Sequence, residues 1–256
     1  MAFRAGTPCL VSTLLPFSSE LQDALEEQKA YYRARAAEYD EWFLRTGRYN
    51  RGLEQSHQWF HEVQQVIHGL ESLGHLGNVL ELAGGTGLWT RRLVHQANSV
   101  TVVDASEEMI EINRDRVGDV NVQYIHDDIY DFEIQEQYDT IFFSFWLSHV
   151  PSARFEEFWE KVRKGLKPGG LYFFIDSLKE NRSTAVNHHL PDEDDCETLV
   201  RKLNDGREFR IFKLFYKPFE LEEKLAKLGL ESHVTQTDSF FLYGCGRPAE
   251  HQNCWF

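Results

Sequence analysis

Apolar residues recur along the chain in two rhythms. Over residues 20–37, Leu21, Leu25, Ala30 and Tyr31 stand among Glu, Gln and Lys at helical spacing. Over residues 55–73, Val63, Val66, Ile67 and Leu70 share one helical face, and Gly74 and Gly77 stop that helix. The rhythm then shortens. Apolar runs at 78–83, 99–106, 122–129, within 138–150 and at 171–177 predict five strands. Segments 88–97, 107–117 and 153–166 predict helices, the last closed by a "KPGG" turn. Strands alternating with helices in this way predict a parallel sheet covered by helices on both faces. Beyond Ser177 the pattern breaks. Residues 178–198 are polar, with Pro191 and an acidic run, and read as an excursion over the surface. Residues 207–218 alternate like a strand, 219–230 form a helix stopped by Gly229, and 231–248 read as a terminal pair of antiparallel strands. The sequence therefore reads as a single domain: an N-terminal helical cover (1–54), a core (55–177), an insertion (178–218), and a last helix with strands (219–248).

Composition narrows the function. With 256 residues, 42% of them apolar, the chain is long enough for one substantial core. A net charge of −14 argues against a nucleic-acid partner, because phosphate backbones are bound by clustered Lys and Arg. Short basic patches at 31–35, 201–202 and 207–217 are interrupted or flanked by acids, so a small or neutral substrate fits better, although a local basic patch is compatible with this pattern. Cys9, Cys196, Cys245 and Cys254 lack C-x-x-C spacing and read as free thiols in a reducing, cytoplasmic setting. No apolar run is long enough to span a membrane. "CLVSTLLPF" (9–17) lacks the basic start and cleavage site of a signal peptide and reads as a leader or a strap across the domain.

Candidate chemistry centres on "VLELAGGTGLWT" (79–90). In open α/β sheets the ligand binds beyond the carboxyl ends of the strands, and residues 83–87 lie at such an end. A bare strand-to-helix turn needs one glycine, whereas Gly84, Gly85 and Gly87 supply three, so the loop reads as a place of close backbone approach to a ligand. A dinucleotide fingerprint would place a third glycine where Thr90 stands, behind bulky Trp89, and a P-loop would need a lysine that is absent. Glu81 would repel phosphate but suits an ammonium or sulfonium ligand.

These residues resemble the first motif of the class I S-adenosylmethionine-dependent methyltransferases, with Ala83 and Gly84 at two positions where the family varies. "VTVVDASEEMI" (100–110), "IHDDIYDF" (125–132), "YDTIFFSFWLSHVP" (138–151) and "LKPGGLYFFIDS" (166–177) are similar to its later strands, in order. "YYRARAAEYDEW" (31–42) looks like the N-terminal segment of many small-molecule members, and the likeness covers about residues 30–246. It implies a Rossmann-like, seven-stranded, mostly parallel sheet with an antiparallel last strand, and S-adenosylmethionine as cofactor. On the matching positions it further implies that Gly84, Gly85, Thr86 and Gly87 border the methionine part, and that Glu81 orients its amino end directly or through water. Asp104 would accept the ribose hydroxyls, with Ser106 the better helix N-cap. Ala105 and Met109 would border the adenine. Asp127 or Asp128 would accept the adenine amino group, with Asp128 preferred and Ile129 offering a backbone N–H. Ser144 and Phe145 would lie next to the sulfonium. Tyr32 and Tyr39 would either close over it through cation–π attraction or simply pack their helix.

Methyl transfer is an in-line displacement at carbon, so alignment supplies much of the rate and a base is optional. His149 in "SHVP" is the best base candidate, with Asp176 in "FIDS" as the acid that fixes its tautomer; alternatively His149 packs the loop before Pro151. His188 and His189 could line a substrate cavity, whereas "HH" beside "DEDDCE" is a poor metal motif and reads better as a solvated loop. Phe209, Phe212, Phe215 and Tyr216 point to an apolar or aromatic acceptor, with some of the four consigned to the core. The sequence therefore reads as a methyltransferase acting on an O, N or C atom of a small molecule. The competing reading is a regulator or cyclase that binds the same cofactor without transferring its methyl. A nicotinamide oxidoreductase is disfavoured by the missing glycine and by Glu81. A protein methyltransferase would want a channel or a carboxylate pair that the sequence does not clearly offer.

Overall fold

In the computed structural model, which describes residues 19–188, 190 and 197–249, the five apolar runs form strands. They are β1 (Gly77–Leu82), β2 (Ala97–Asp104), β3 (Val122–His126), β4 (Tyr138–Ser144) and β5 (Leu166–Ser177). The later strands are β6 (Thr198–Lys202), β7 (Glu208–Phe212), β8 (Leu230–Gln236) and β9 (Phe241–Pro248). Seven of them form one sheet in the order β3-β2-β1-β4-β5-β9-β8, while β6 and β7 pair separately. β1 to β5 are mutually parallel and β9 runs antiparallel to both its neighbours. The sheet order reverses between β1 and β4, which is where an open α/β sheet leaves a crevice for ligand.

The helices are α1 (Ser19–Arg35), α2 (Tyr39–Leu44), α3 (Leu53–Glu71), α4 (Thr90–Leu93), α5 (Glu107–Val117), α6 (Phe155–Gly165) and α7 (Pro218–Lys227). The period of two along central strands sends alternate side chains to two cores. Leu80, Leu82, Ile141, Phe143 and Phe174 pack with Trp159 of α6 and Leu221 of α7. Val79, Val102, Phe142, Phe173 and Ile175 pack with Trp59, Val63 and Val66 of α3. Burial on both faces explains why these strands read as unbroken apolar runs.

Two sequence expectations change. The helix expected over 88–97 is one turn, because β2 begins at Ala97, paired with Gly77, and the chain must turn back within residues 94–96. "KPGG" is an irregular start of β5, with a register shift against β4, rather than a turn outside the strand. The insertion also gains a strand, β6, just past the excursion, whose Leu199 is buried while Val200 is exposed. The expected strap at 9–17, His189, most of the acidic run, Cys9, Cys196 and Cys254 lie outside the described residues. Among the described residues no helix is long and apolar enough to cross a membrane.

The helical cover is tied down by polar contacts. Gln28 of α1 accepts from Phe212 N (2.9 Å) and donates to His149 O (3.2 Å). Asp40 of α2 accepts from Thr86 Oγ1 at 2.6 Å and pairs with Arg116 of α5, which also donates to Thr86 O (2.6 Å). The cover is thus fastened both to the insertion and to the glycine loop.

Candidate active site

The carboxyl ends of β1 and β4 turn through left-handed backbone at non-glycine residues, Ala83 (φ 55°) and Phe145 (φ 53°). Such conformations cost energy and persist where the surrounding structure fixes them, typically beside ligands. The three glycines of the loop serve different ends. A Cβ on Gly84 would stand 2.3 Å from Val102 Cγ1, and one on Gly87 2.5 Å from Asn113 Oδ1, so both are demanded by packing onto β2 and α5. A Cβ on Gly85 would meet nothing closer than Ala83 O at 4.0 Å, but its φ is +53°, and it lines a cavity. Gly87→Ala should therefore lower stability by ~2–4 kcal/mol, through the clash and its φ of +84°, read as a lower Tm.

Gly85 borders a cavity of about 730 Å³, the open solvent at its mouth included. Tyr32 and Tyr39 form part of its wall from the helical cover. Asp104, Ala105 and Met109 line it from the end of β2 and the start of α5, Asp128 and Ile129 from the loop after β3, and Ser144 and Phe145 from the end of β4. Gly84 and Thr86 line a smaller adjoining cavity of about 290 Å³ that shares Tyr39, Ala83, Gly85, Ser144 and Phe145. Asp104 Oδ2 accepts from Gly85 N and its Oδ1 from Ser106 N, both at 2.9 Å. Burial raises the pKa of this carboxyl against the lowering effect of those backbone bonds. Ser106 caps α5 by accepting from Met109 N at 3.2 Å. Asp128 accepts from Tyr130 N and pairs with Lys29 of α1 at 3.0 Å. Lys161 Nζ steadies this loop by donating to the carbonyls of Ile129, Tyr130 and Phe132.

Three of the residues predicted for the cofactor line neither cavity. Gly87 sits against Asn113. Asp127 accepts from Asp128 N, and its own N–H donates to Asp104 O, so it holds the loop to the end of β2. Glu81 points into the apolar layer on the Val79 face and is 1% exposed; neither of its oxygens has a hydrogen-bond partner within 3.5 Å, and the Thr90 hydroxyl interacts with it only weakly. Burial pushes its pKa up to about 8, with the Thr90 hydroxyl opposing and the Asp104 charge adding. Its carboxyl carbon lies 3.6 Å from where a Cβ on Gly84 would stand, directly behind the glycine loop. An orphan carboxylate behind a loop that opens on an apolar cavity suits a ligand bearing an amino group, and Asp104 suits a diol; the cavity fits S-adenosylmethionine.

A second cavity, of about 600 Å³, adjoins the first and shares Tyr32, Tyr39 and Phe145 with it. His149 lines it, but the anticipated His149–Asp176 pair is not formed. His149 Nδ1 donates to Phe212 O at 2.6 Å, because β7 brings that carbonyl to the ring. Its Nε2 therefore accepts from the Tyr32 hydroxyl, at 2.7 Å. Asp176 instead accepts from Ser148 N (2.8 Å) and Ser177 N (2.7 Å) and faces Lys213 Nζ at 3.3 Å. Burial, then the Lys213 charge, hold the His149 ring neutral, while burial keeps Tyr32 protonated. Of the four aromatic residues flagged in the insertion, only Phe215 lines this cavity; Phe212 is buried in a satellite cluster, Phe209 packs on Tyr31 and Tyr216 on Phe155. His188 lines it too.

Residues that the motif reading passed over also converge here. Arg35, Arg201 and Lys213 line the second cavity, each from one of the short basic patches. Trp42 lies edge-on to Phe145, centroids 4.6 Å apart, and donates to Ser183 O at 2.9 Å. Among the described residues no three His, Cys, Asp or Glu side chains are grouped to hold a metal ion.

A family model described as "Methyltransferase domain" matches residues 79–170. The solved structure of DhpI with S-adenosylhomocysteine (SAH) has 37% identity to this chain and a TM-score of 0.73, over 90% of this chain and 99% of that one. A DhpI complex with SAM and HEP gives 37% identity and a TM-score of 0.72, over 88% and 98%. Among curated proteins, malonyl-[acyl-carrier protein] O-methyltransferase 2 of Ilyobacter polytropus is 31% identical over 108 residues. That match covers 38% of either protein, so this chain spans well under half the length of that relative.

Proposed function

The chain belongs to the class I S-adenosylmethionine-dependent methyltransferases, and from that premise we propose that it moves a methyl group to an O, N or C atom of a small molecule. The observation that carries this reading is the pair of adjoining cavities, one floored by Gly85 and Asp104 and the other by the insertion, with Tyr32, Tyr39 and Phe145 as their common wall. S-adenosylmethionine, when bound, supplies a methyl group on a sulfonium sulfur. Asp104 holds the ribose, Ala105, Met109, Asp128 and Ile129 border the adenine, and Glu81 behind the loop balances the amino group. Tyr32, Tyr39 and Phe145, as the wall common to both cavities, would border the sulfonium and keep water from the line of transfer. Met109 and Ser144 complete the wall.

His149 acts through Tyr32. By accepting the hydrogen bond that the Tyr32 hydroxyl donates, it fixes the phenol at the shared wall, with the oxygen's lone pairs free to accept from an acceptor hydroxyl or amine. Asp176 is a positioning residue that holds Ser148 N, and so the turn carrying His149. A net charge of −14 and unpaired cysteine spacing support a small-molecule acceptor rather than nucleic acid, and a cytoplasmic setting.

Two measurements test the reading. Isothermal titration should give one SAH site per chain; no binding at ~1 mM ligand would end it. Methyl-labelled cofactor supplied with a cell extract should label the low-molecular-weight filtrate, and label confined to macromolecules or absent altogether would overturn the assigned acceptor. Tyr32→Phe should slow transfer ~10–100-fold while SAH affinity stays within about threefold. An unchanged rate across the pH profile would remove Tyr32 and His149 from the mechanism.

A further inference from the structure

Resting on the acceptor cavity assigned above, we propose that the methyl acceptor carries a dianionic oxyanion head group, phosphate-like in charge and shape, gripped by Arg35, Arg201 and Lys213. The three cations come from α1, from β6 and from just beyond β7, and meet in one cavity of about 600 Å³. None is a solvated surface charge: Arg35 is 9% exposed and Arg201 8%. Arg201 Nη1 and Arg35 Nε are buried without any hydrogen-bond partner. Arg35 makes one long bond, to the Tyr49 hydroxyl at 3.4 Å, and its guanidinium lies over the ring of Tyr39 at 4.8 Å.

The charges do not balance within the protein. No Asp or Glu among the described residues lines the cavity. Asp176, behind it, faces Lys213 at 3.3 Å, and Glu38 is taken by Arg48 at 2.9 Å. Three cations against Asp176 leave two positive charges over. His149 and His188 add none: burial holds both rings neutral, with His188 pushed down to about 4 by burial and by the charges of Arg201, Arg48 and Arg35. Burial likewise drags the pKa values of Arg201 and Lys213 downward. Burying unpaired charge is costly, and a protein retains such an arrangement where a ligand supplies the missing counter-charge. Stacking on tyrosines would account for Arg35 alone; it leaves Arg201 Nη1 without an acceptor. A carboxylate would supply one charge and two oxygens in a plane, whereas a dianion with oxygens on three sides answers cations arriving from three elements.

The probe is inorganic phosphate, at about pH 8 where it is dianionic, titrated into the full chain saturated with SAH, with acetate as monoanion at equal ionic strength. Phosphate should bind once per chain, at least ~10-fold more tightly than acetate, and should raise Tm. Arg201→Met and Arg35→Met should each weaken phosphate binding by ~10-fold or more with SAH affinity within about threefold. Without phosphate their Tm should equal or exceed that of the parent, because each removes an unpaired buried charge. Absence of phosphate binding, equal binding of acetate, or retention of binding in both variants overturns the proposal. So does a fall in Tm beyond about 5 °C in both variants, which would mark the arginines as structural. The phosphate titration is repeated without SAH. Loss of SAH binding therefore counts against the cofactor assignment alone, and loss of phosphate binding against the anion site alone.

Discussion

Asp104→Ala should weaken SAH binding by ~10²–10⁴-fold, the largest loss expected from one side chain in the cofactor cavity. The size follows from what the carboxylate is free to do. Gly85 N and Ser106 N each donate to one oxygen at 2.9 Å, which fixes the carboxylate plane at the cavity wall and leaves it acceptor capacity for a ligand. Two hydrogen bonds from a diol to a charged acceptor are worth about 1.5–3 kcal/mol each, and no neighbouring group replaces them. Alanine also strands two backbone donors, so the variant should lose about 1–3 kcal/mol of stability, and the titration must run well below its Tm. Asp104→Asn separates the two effects. It keeps the volume and one acceptor oxygen but sets an amide N–H against a backbone N–H, so it should bind SAH between parent and alanine. SAH affinity within threefold of the parent in the alanine variant would mean that the carboxylate serves only the turn at 104–106.

Much of this architecture was legible in the sequence, because strands buried on both faces leave continuous apolar runs that few other structures produce. The helix predicted over 107–117 forms with those bounds, since Ser106 at the cap and Gly118 at the end mark them chemically. The helix predicted over 88–97 shortens to one turn: its apolar spacing is helical, but the chain has only residues 94–96 in which to turn before β2 pairs with β1. β6 leaves little trace in the sequence, because five residues beside an acidic run carry too short an alternation to stand out. The glycine motif located the cavity, yet it could not tell the glycine that opens on ligand space, Gly85, from those that make room for Val102 and Asn113. That distinction depends on which neighbour packs from above. The same limit explains the failed His149–Asp176 pair: the competing acceptor is a main-chain carbonyl at Phe212, which no side-chain pattern records. The cations of the second cavity are the clearest case. Arg35, Arg201 and Lys213 each sit in a patch diluted by acids along the chain, and only the pairing of β6 with β7 and the docking of α1 on β7 gather them. An expectation of a neutral or aromatic acceptor was the natural reading of a diluted linear pattern.

The affinity for SAH should climb with pH, by close to tenfold per unit below about 8, and level off above it. Glu81 sets this slope. Strand alternation puts it on the Val79 face, where its oxygens have no hydrogen-bond partner within 3.5 Å, and burial lifts its pKa to about 8 against the weaker opposing effect of the Thr90 hydroxyl. In the free protein at neutral pH it is mostly protonated. A ligand amino group that carries a positive charge favours the ionised form, so below about 8 binding must first expel a proton. Between about pH 6 and 8 the gain should approach ~50-fold, and titration in buffers of different ionisation enthalpy should report the released proton directly. Glu81→Gln removes both the slope and the attraction: its SAH affinity should be flat over the same range and weaker than the parent's at about pH 8. Stability provides an independent check of sign. The folded pKa lies above the unfolded value of 4.5, so the contribution of the protonated carboxyl is full below 4.5 and is lost as pH rises through about 8. The unliganded parent should therefore lose Tm relative to Glu81→Gln over that window, by the equivalent of at most ~5 kcal/mol, and the difference should be constant above it. Equal pH profiles for the two proteins, in Tm and in SAH affinity alike, would mean that Glu81 neither titrates in this window nor senses the amino end of the ligand.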